Sequence, residues 1–358
     1  MELIPNLPDD VGLECLIRVS FDRFHSVASV CRRWKLELER PEFWRRRKIA
    51  GLSQKVVVMV QARVDSDPNS AGSCTVKSSA DPVYRISVCE PASGKWSELE
   101  PLPGFPNGLP MFCRVVGVGL DLVVLGGWNR VTWEVSNAVF VYNFVSATWR
   151  RGSDMPGGPR SFFACASDSN RTVFVAGGHD KEKNALRSAM AYDVGKNEWK
   201  HLPDMATDRD ECKGVYHRGR FHVIGGYNTE MQGQFGTSAE AFDVATWKWD
   251  QLQHDFLETA TCPATCLDGG DGKMYMCRAN DVVARGNSTW QKVAELPAEV
   301  RSTVHVTAWH GKMLVVGSQT FGGTHNAYLL DLKSLKWTKV AAPAGFSGHV
   351  QSGCWMDI

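Results

Sequence analysis

The chain has 358 residues, 43% of them hydrophobic, and its 40 basic and 39 acidic residues leave a formal net charge of +1. That length holds two domains or one large repeat array, and the charge balance argues against nucleic acid or an anionic membrane surface as the main partner. No apolar run reaches the roughly 20 residues that span a bilayer, and the proline-containing, acidic opening lacks the basic and long apolar regions of a signal peptide. The 11 cysteines are odd in number and follow no framework spacing, which points to reduced thiols in the cytoplasm or nucleus. Cys262 and Cys266 form a C-x3-C pair, but no second Cys/His pair at zinc-site spacing follows, so no metal is expected there.

Residues 1–50 carry a helical pattern. Leu7-Pro8-Asp9-Asp10 reads as a helix start, with Pro8 well placed for it, and apolar residues follow at Val11, Cys15, Leu16 and Val19. Phe24, Val27, Val30, Cys31 and Trp34 then recur at steps of three and four, which predicts a further helical stripe. A segment of about 40 residues builds little core alone. Its apolar stripe needs a partner, either the rest of the chain or another protein. The run Arg45-Arg46-Arg47-Lys48 reads as a solvated helix end, with a nuclear-localisation patch as the alternative.

From residue 51 to 358 the chain repeats itself. Apolar strands run into glycine pairs at Gly126-Gly127, Gly177-Gly178 and Gly225-Gly226, with a weaker copy at Gly317-Ser318. A polar loop and a second apolar strand follow each full pair, and that strand ends in Tyr142, Tyr192 or Phe242. Seven residues later stands Trp149, Trp199 or Trp249. With Trp96, Trp290 and Trp337, six tryptophans recur 41 to 53 residues apart. The glycines allow positive φ and close backbone approach. The aromatic and the tryptophan fall opposite each other across a hairpin, filling the layer between blades. One blade cannot cover both its faces, so blades stack and close into a ring. The unit ending at Trp96 lacks its innermost strand, and His349–Trp355 is an orphan strand. The C-terminal strand is therefore expected to complete the first of six blades.

These repeats resemble the kelch repeat over about 300 residues. Residues 2–45, with Leu7-Pro8, Leu16-Ile17 and Val30-Cys31-Arg32-Arg33-Trp34, resemble an F-box. The fold expected is a mainly β kelch-type propeller (51–358) preceded by a small α-helical F-box domain (1–50). The resemblance implies a substrate-recognition subunit of a Skp1–cullin–F-box ubiquitin ligase. The F-box would bind a Skp1-type adaptor, and through it cullin and a RING protein, using Leu7, Pro8, Leu16, Ile17, Val30 and Trp34. The opening segment and blade sequences further resemble the plant KISS ME DEADLY group, which implies phenylalanine ammonia-lyases and type-B response regulators of cytokinin signalling as targets. The alternative is a kelch scaffold without a ubiquitin-ligase role.

For the target-binding rim, arginines stand 16 or 17 residues before the glycine position at Arg160, Arg209 and Arg301. They are expected on one rim, where a guanidinium fork suits carboxylates. The competing reading pairs them inside their own blades. The loops after the glycine pairs add Trp128, Asn129, Arg130, His179, Asp180, Tyr227 and Asn228. An enzyme reading would need a copper-type Tyr/His/Cys constellation at the ring centre. Tyr216, His217, His222, His305 and His310 lack metal-ligand spacing, and no Gly-rich phosphate loop is present. No cofactor, metal or catalytic residue is expected.

Overall fold

A computed structural model describes residues 2–64, 82–286 and 288–358. The repeats form six four-stranded antiparallel sheets. Blade 2 shows the plan: Arg114–Val118 innermost, then Asp121–Leu125, Val139–Asn143 and Thr148–Arg151. Blade 3 begins with Ala164–Ser167, blade 4 with Lys213–His217, blade 5 with Leu267–Asp268 and blade 6 with Ser302–Trp309.

The predicted aromatic pairs are cross-strand neighbours. Tyr142 stands opposite Trp149, Tyr192 opposite Trp199 and Phe242 opposite Trp249. Their ring centroids lie 5.1, 4.9 and 5.4 Å apart. Each repeat tryptophan also reaches the preceding blade. Its indole N–H donates to a backbone carbonyl just past that blade's own tryptophan strand: Trp149 to Glu100 at 3.1 Å, Trp199 to Ser153 at 2.8 Å, Trp249 to Pro203 at 2.7 Å. Trp290 bonds Phe256 at 2.8 Å and Trp337 bonds Glu295 at 2.9 Å. Trp96 closes the circle on Ala341 at 2.9 Å. Blade 5 departs from the frame. Trp290 opens its strand opposite Arg285 and is fully buried, where the other five are half-buried.

Blade 1 is closed as its missing strand predicts. Val350–Asp357 pairs antiparallel with Lys55–Ala62 and supplies the innermost strand, followed outward by Tyr84–Glu90 and Lys95–Glu98.

The N-terminal segment folds as helices α1 (Asp9–Leu16), α2 (Phe24–Val30), α3 (Arg32–Leu38) and α4 (Pro41–Ile49). Two expectations need correction. The stripe from Phe24 to Trp34 is not one helix face, because Cys31 is extended (φ −160°, ψ 161°) and caps α3 instead. On α1 the buried face is Gly12, Leu13 and Leu16, so Val11 and Cys15 are exposed. The basic run is also divided. Arg47 is fully buried, donates to the carbonyls of Val19 (2.7 Å) and Leu52 (3.0 Å), and stacks 4.9 Å from the Phe24 ring centre. Burial lowers its pKa to about 10.

Helices and propeller share one core, in which Leu16, Ile17, Phe24 and Phe43 join Val56, Val58, Leu122, Phe144 and Ile358. Phe21 packs edge-on to Phe144 at 6.1 Å, and His25 Nδ1 lies 2.9 Å from the Ser146 carbonyl. Asp22 pairs with Lys95 at 2.6 Å, and Gln54 donates to Glu90 at 2.7 Å. These propeller residues border the hairpins between third and fourth strands. The glycine-pair loops sit at the other end of the third strand, roughly 17 Å away over five residues. The helices therefore cover the hairpin face of blades 1 and 2 and leave the glycine-loop face open.

Val350, Met356 and Ile358 are fully buried, and each contributes about 1.5–3 kcal/mol. That sum is comparable with the whole stability of a typical domain, about 5–15 kcal/mol. Removal of residues 347–358 should abolish the cooperative melting transition or lower Tm by more than about 10 °C, measured by calorimetry.

Candidate functional site

The open face is built on the glycine pairs. Gly177 and Gly178 take φ of 66° and 81°, and a Cβ on Gly178 would lie 2.3 Å from the Ser161 carbonyl oxygen. Gly226 is alike, with φ 81° and Asp210 O at 2.4 Å. Side chains are excluded at such approaches. The tight turn presses the following loop onto the segment that leads into the inner strand. Trp128 thereby bridges Met111, His179 bridges Ser161 and Tyr227 bridges Asp210.

Arg160 and Arg209 stand behind this turn rather than on its surface, which corrects their assignment to the rim. Both are buried. Arg209 donates to the carbonyls of Gly225 (2.8 Å) and Ser238 (3.1 Å), to Ser238 Oγ (2.9 Å) and to buried Glu240 (3.3 Å). Arg160 repeats the motif on Gly177 and Ser188, with 3.0 Å to Ser188 Oγ. The cause is local: among the described residues the positive-φ glycine turn leaves the Gly177 and Gly225 carbonyls without a backbone donor, and a buried guanidinium satisfies each while also bonding the neighbouring serine. Burial lowers the Arg160 pKa to about 10. Arg301 is the exposed member, paired with Glu295 at 3.1 Å.

The loop residues divide in the same way. His179 is buried, with Nδ1 2.7 Å from Asp210 Oδ2 of the next blade. Tyr227 is also buried and donates to Glu211 at 2.9 Å. Both are therefore removed from the exposed rim, because their polar atoms are spent on joining loops. Asn129, Asp180 and Asn228 accept backbone N–H groups of their own turns at 2.8, 2.9 and 2.9 Å. Arg130 is half-buried and donates to Asn107 O at 3.5 Å. Trp128 is half-buried, and its indole donates to Ser161 Oγ of blade 3 at 2.6 Å.

Trp128 is the floor of a surface that the repeat frame alone did not single out. Phe112, Phe162 and Trp133 surround it at 6.1, 6.4 and 6.3 Å. Phe112 and Phe162 meet at 5.0 Å, and Lys183 Nζ sits 4.6 Å over the Trp128 ring. Phe112 is 43% exposed and Trp133 56%. All three outer aromatics occupy left-handed backbone, at φ 59°, 52° and 60°. Such conformations cost about 1–3 kcal/mol each and persist where their surroundings dictate them. The Met111–Trp128 and Ser161–His179 bridges flank Phe112 and Phe162 and do so. A signal was available in the sequence: both phenylalanines directly follow the residue that faces a post-glycine position.

The helical segment offers a second surface. Leu16 and Ile17 lie in the shared core, so their placement on an adaptor-facing surface is corrected: they hold the helices together. Trp34 is half-buried, donating to Leu3 O at 2.6 Å. Leu7 is half-buried and Pro8 exposed, while Val30 is 60% exposed. Val11 and Leu36 are exposed as well. Asp9 and Arg33, paired at 2.5 Å, tie the start of α1 to the α2–α3 junction, bringing Pro8 and Val30 to one end of the bundle.

The histidines and tyrosine weighed for a metal site do other work. Tyr216 stacks on Phe174 at 5.7 Å, and His217 pairs with Asp268 at 2.7 Å. Among the described residues no group of three or more His, Cys, Asp or Glu side chains is placed to hold a metal ion.

A family model of the F-box domain matches residues 4–46, and one of the KLHDC2/KLHL20/DRC7 Kelch-repeats domain matches residues 112–281. The F-box/kelch-repeat proteins At1g80440 and At1g15670 of Arabidopsis thaliana are 50% and 49% identical to this chain, over all of it and all of themselves. SKIP20, another F-box/kelch-repeat protein of that plant, is 35% identical over 97% of this chain and 94% of its own. Among solved structures YjhT aligns with a TM-score of 0.57 at 15% identity, covering 71% of this chain and 90% of that one, which speaks to the fold alone.

The two classes of arginine should separate in equilibrium denaturation. Arg209→Ala strands Glu240 in the interior and is expected to cost about 3–5 kcal/mol, whereas Arg301→Ala should cost less than about 1 kcal/mol.

Proposed function

The chain belongs to the F-box/kelch-repeat proteins, and we propose that it is the substrate-recognition subunit of a Skp1–cullin–F-box ubiquitin ligase. The helical surface around Pro8 and Val30 takes the Skp1-type adaptor. The aromatic surface around Trp128 takes the target. The chain is non-catalytic in this role and works by raising the concentration of a target lysine near the ubiquitin-carrying partner.

One observation carries this reading. The helices are fused through a shared core to the hairpin face of blades 1 and 2, and the exposed aromatic cluster lies on the opposite face. Two partners can then be held at once, at a fixed separation, with no flexible linker to dilute the effect. Exposed aromatics with a neighbouring cation are also the residue types that dominate binding energy at interfaces. The proposed working compartment is the cytoplasm or nucleus.

The finer proposal concerns targets. Phenylalanine ammonia-lyases and type-B response regulators are proposed from the resemblance of the opening segment and blade sequences to the KISS ME DEADLY group.

Two point variants of the full chain test both halves. Deleting residues 1–45 is a poor choice, because it would uncover the core of blades 1 and 2. Val30→Asp with Pro8→Ala should lower co-purification of a Skp1-type adaptor at least about tenfold, roughly 1.4 kcal/mol, with Tm unchanged. Undiminished adaptor capture would favour a scaffold without a ligase role. Phe112→Ser with Trp133→Ser should keep the adaptor and lose co-expressed phenylalanine ammonia-lyase or type-B response regulator under proteasome block. If the intact chain retains neither, those targets are wrong.

A further inference from the structure

The six inner strands enclose an axial cavity of about 380 Å³, whose lining includes Arg114, Cys165, Lys213, Cys266, His305 and Gly353. Its charge is one-sided. Arg114 and Lys213 are the first residues of the inner strands of blades 2 and 4, and both are half-buried. Among the described residues neither side chain has a hydrogen bond or an ion pair. Four cations elsewhere in the ring behave otherwise: Arg209, Arg220, Arg278 and Lys292 each have a carboxylate within 3.3 Å. Among the described residues the only acidic lining residue is Asp268, and His217 Nδ1 lies 2.7 Å from it.

The other polar groups of the channel supply no negative charge. Burial pushes the thiols of Cys165, Cys266 and Cys354 up to about 12, so they are uncharged at neutral pH. His305 is buried, and burial with the nearby Lys213 charge lowers its pKa to about 3, so its ring is neutral. Its Nε2 has no hydrogen-bond partner among the described residues. Gly353 leaves room for that ring, since a Cβ there would lie 2.8 Å from Nε2. Lys213 is itself lowered to about 8, first by burial and then by the like charge of Arg114, with Cys165, Cys262 and Cys266 as its other titratable neighbours.

Two half-buried like charges that repel each other without a counter-charge are costly, and a bound anion relieves that deficit by neutralising both. We propose that the axial channel is a binding site for a small multivalent oxyanion, a phosphorylated or polycarboxylate metabolite held between Arg114 and Lys213 with His305 as a neutral donor. Guanidinium and ammonium groups suit phosphate and carboxylate oxygens alike. The volume lies in the range of small-molecule sites and is far below that of a folded partner. The site is distinct from the adaptor surface and borders the target surface, because the lining residue Gln351 accepts the Phe112 backbone N–H at 2.7 Å.

The test is calorimetric titration and thermal melting of the full chain with pyrophosphate and with citrate, against chloride at matched ionic strength. One or both anions should bind saturably and raise Tm above chloride. Response to pyrophosphate alone assigns a phosphoryl ligand, and response to citrate alone a polycarboxylate. Arg114→Gln with Lys213→Gln should weaken binding at least tenfold while melting in chloride no lower than the parent, since a repulsion is removed. Lys213→Gln alone gives the same reading at smaller amplitude should the double variant fail to fold. Equal binding by parent and variant, or no effect beyond chloride, overturns the proposal.

Discussion

The bond from each repeat tryptophan to the blade before it is the constraint on which the rest depends. The indole is the one large aromatic side chain that fills an inter-blade layer and also donates an N–H with no competing acceptor of its own. Each such bond contributes only about 0.5–1.5 kcal/mol net. Their arrangement matters more than their sum. Six of them run in one sense around the ring, and the bond from Trp96 to Ala341 joins the last blade to the first. Together with the C-terminal strand inside blade 1, that bond makes closure a matter of two independent contacts. A ring held this way has no open edge, and its loops inherit fixed positions.

The rigidity extends to the helices. They do not form a separate globule, because Leu16, Ile17, Phe24 and Phe43 pack into the same core as the first two blades. Arg47 completes the join by satisfying carbonyls that precede the first strand. A buried guanidinium against Phe24 and Trp44 is expensive to desolvate, and it is retained where several carbonyls of an irregular connection would otherwise go unsatisfied. The same solution recurs in Arg160 and Arg209. In this molecule buried arginine repairs backbone at three places where the chain leaves regular structure.

That habit explains what was legible in the sequence and what was not. The glycine pairs, the Tyr142–Trp149 type of pairing and the closing strand follow from spacing, because they are local and periodic. The fate of the arginines does not. Their repeat position fixes where the backbone lies, but a guanidinium on a long stem can turn outward to a partner or inward to the carbonyls of its own turn. The sequence does not hold the missing fact, which is how many carbonyls the glycine turn leaves bare. The helical segment misled for a related reason. Val11 and Val30 share the helical period with Leu16, yet they are exposed, while Leu16 and Ile17 are core. A short domain that binds through apolar surface carries two stripes, and periodicity cannot rank them.

The channel was invisible for a stronger reason. Arg114, Lys213 and His305 sit in three different repeats and converge only when the ring is closed. Closure also decides their energetics. A charge on an isolated blade would face water on all sides, whereas six inner strands around one axis restrict that water and bring like charges together. An arrangement that satisfies Arg209 with Glu240 at 3.3 Å within blade 4, but leaves Arg114 and Lys213 without a carboxylate, is not short of acidic residues. At the axis that deficit brings two like charges together, and there a small ligand would touch every blade at once and strengthen the closure on which both faces depend.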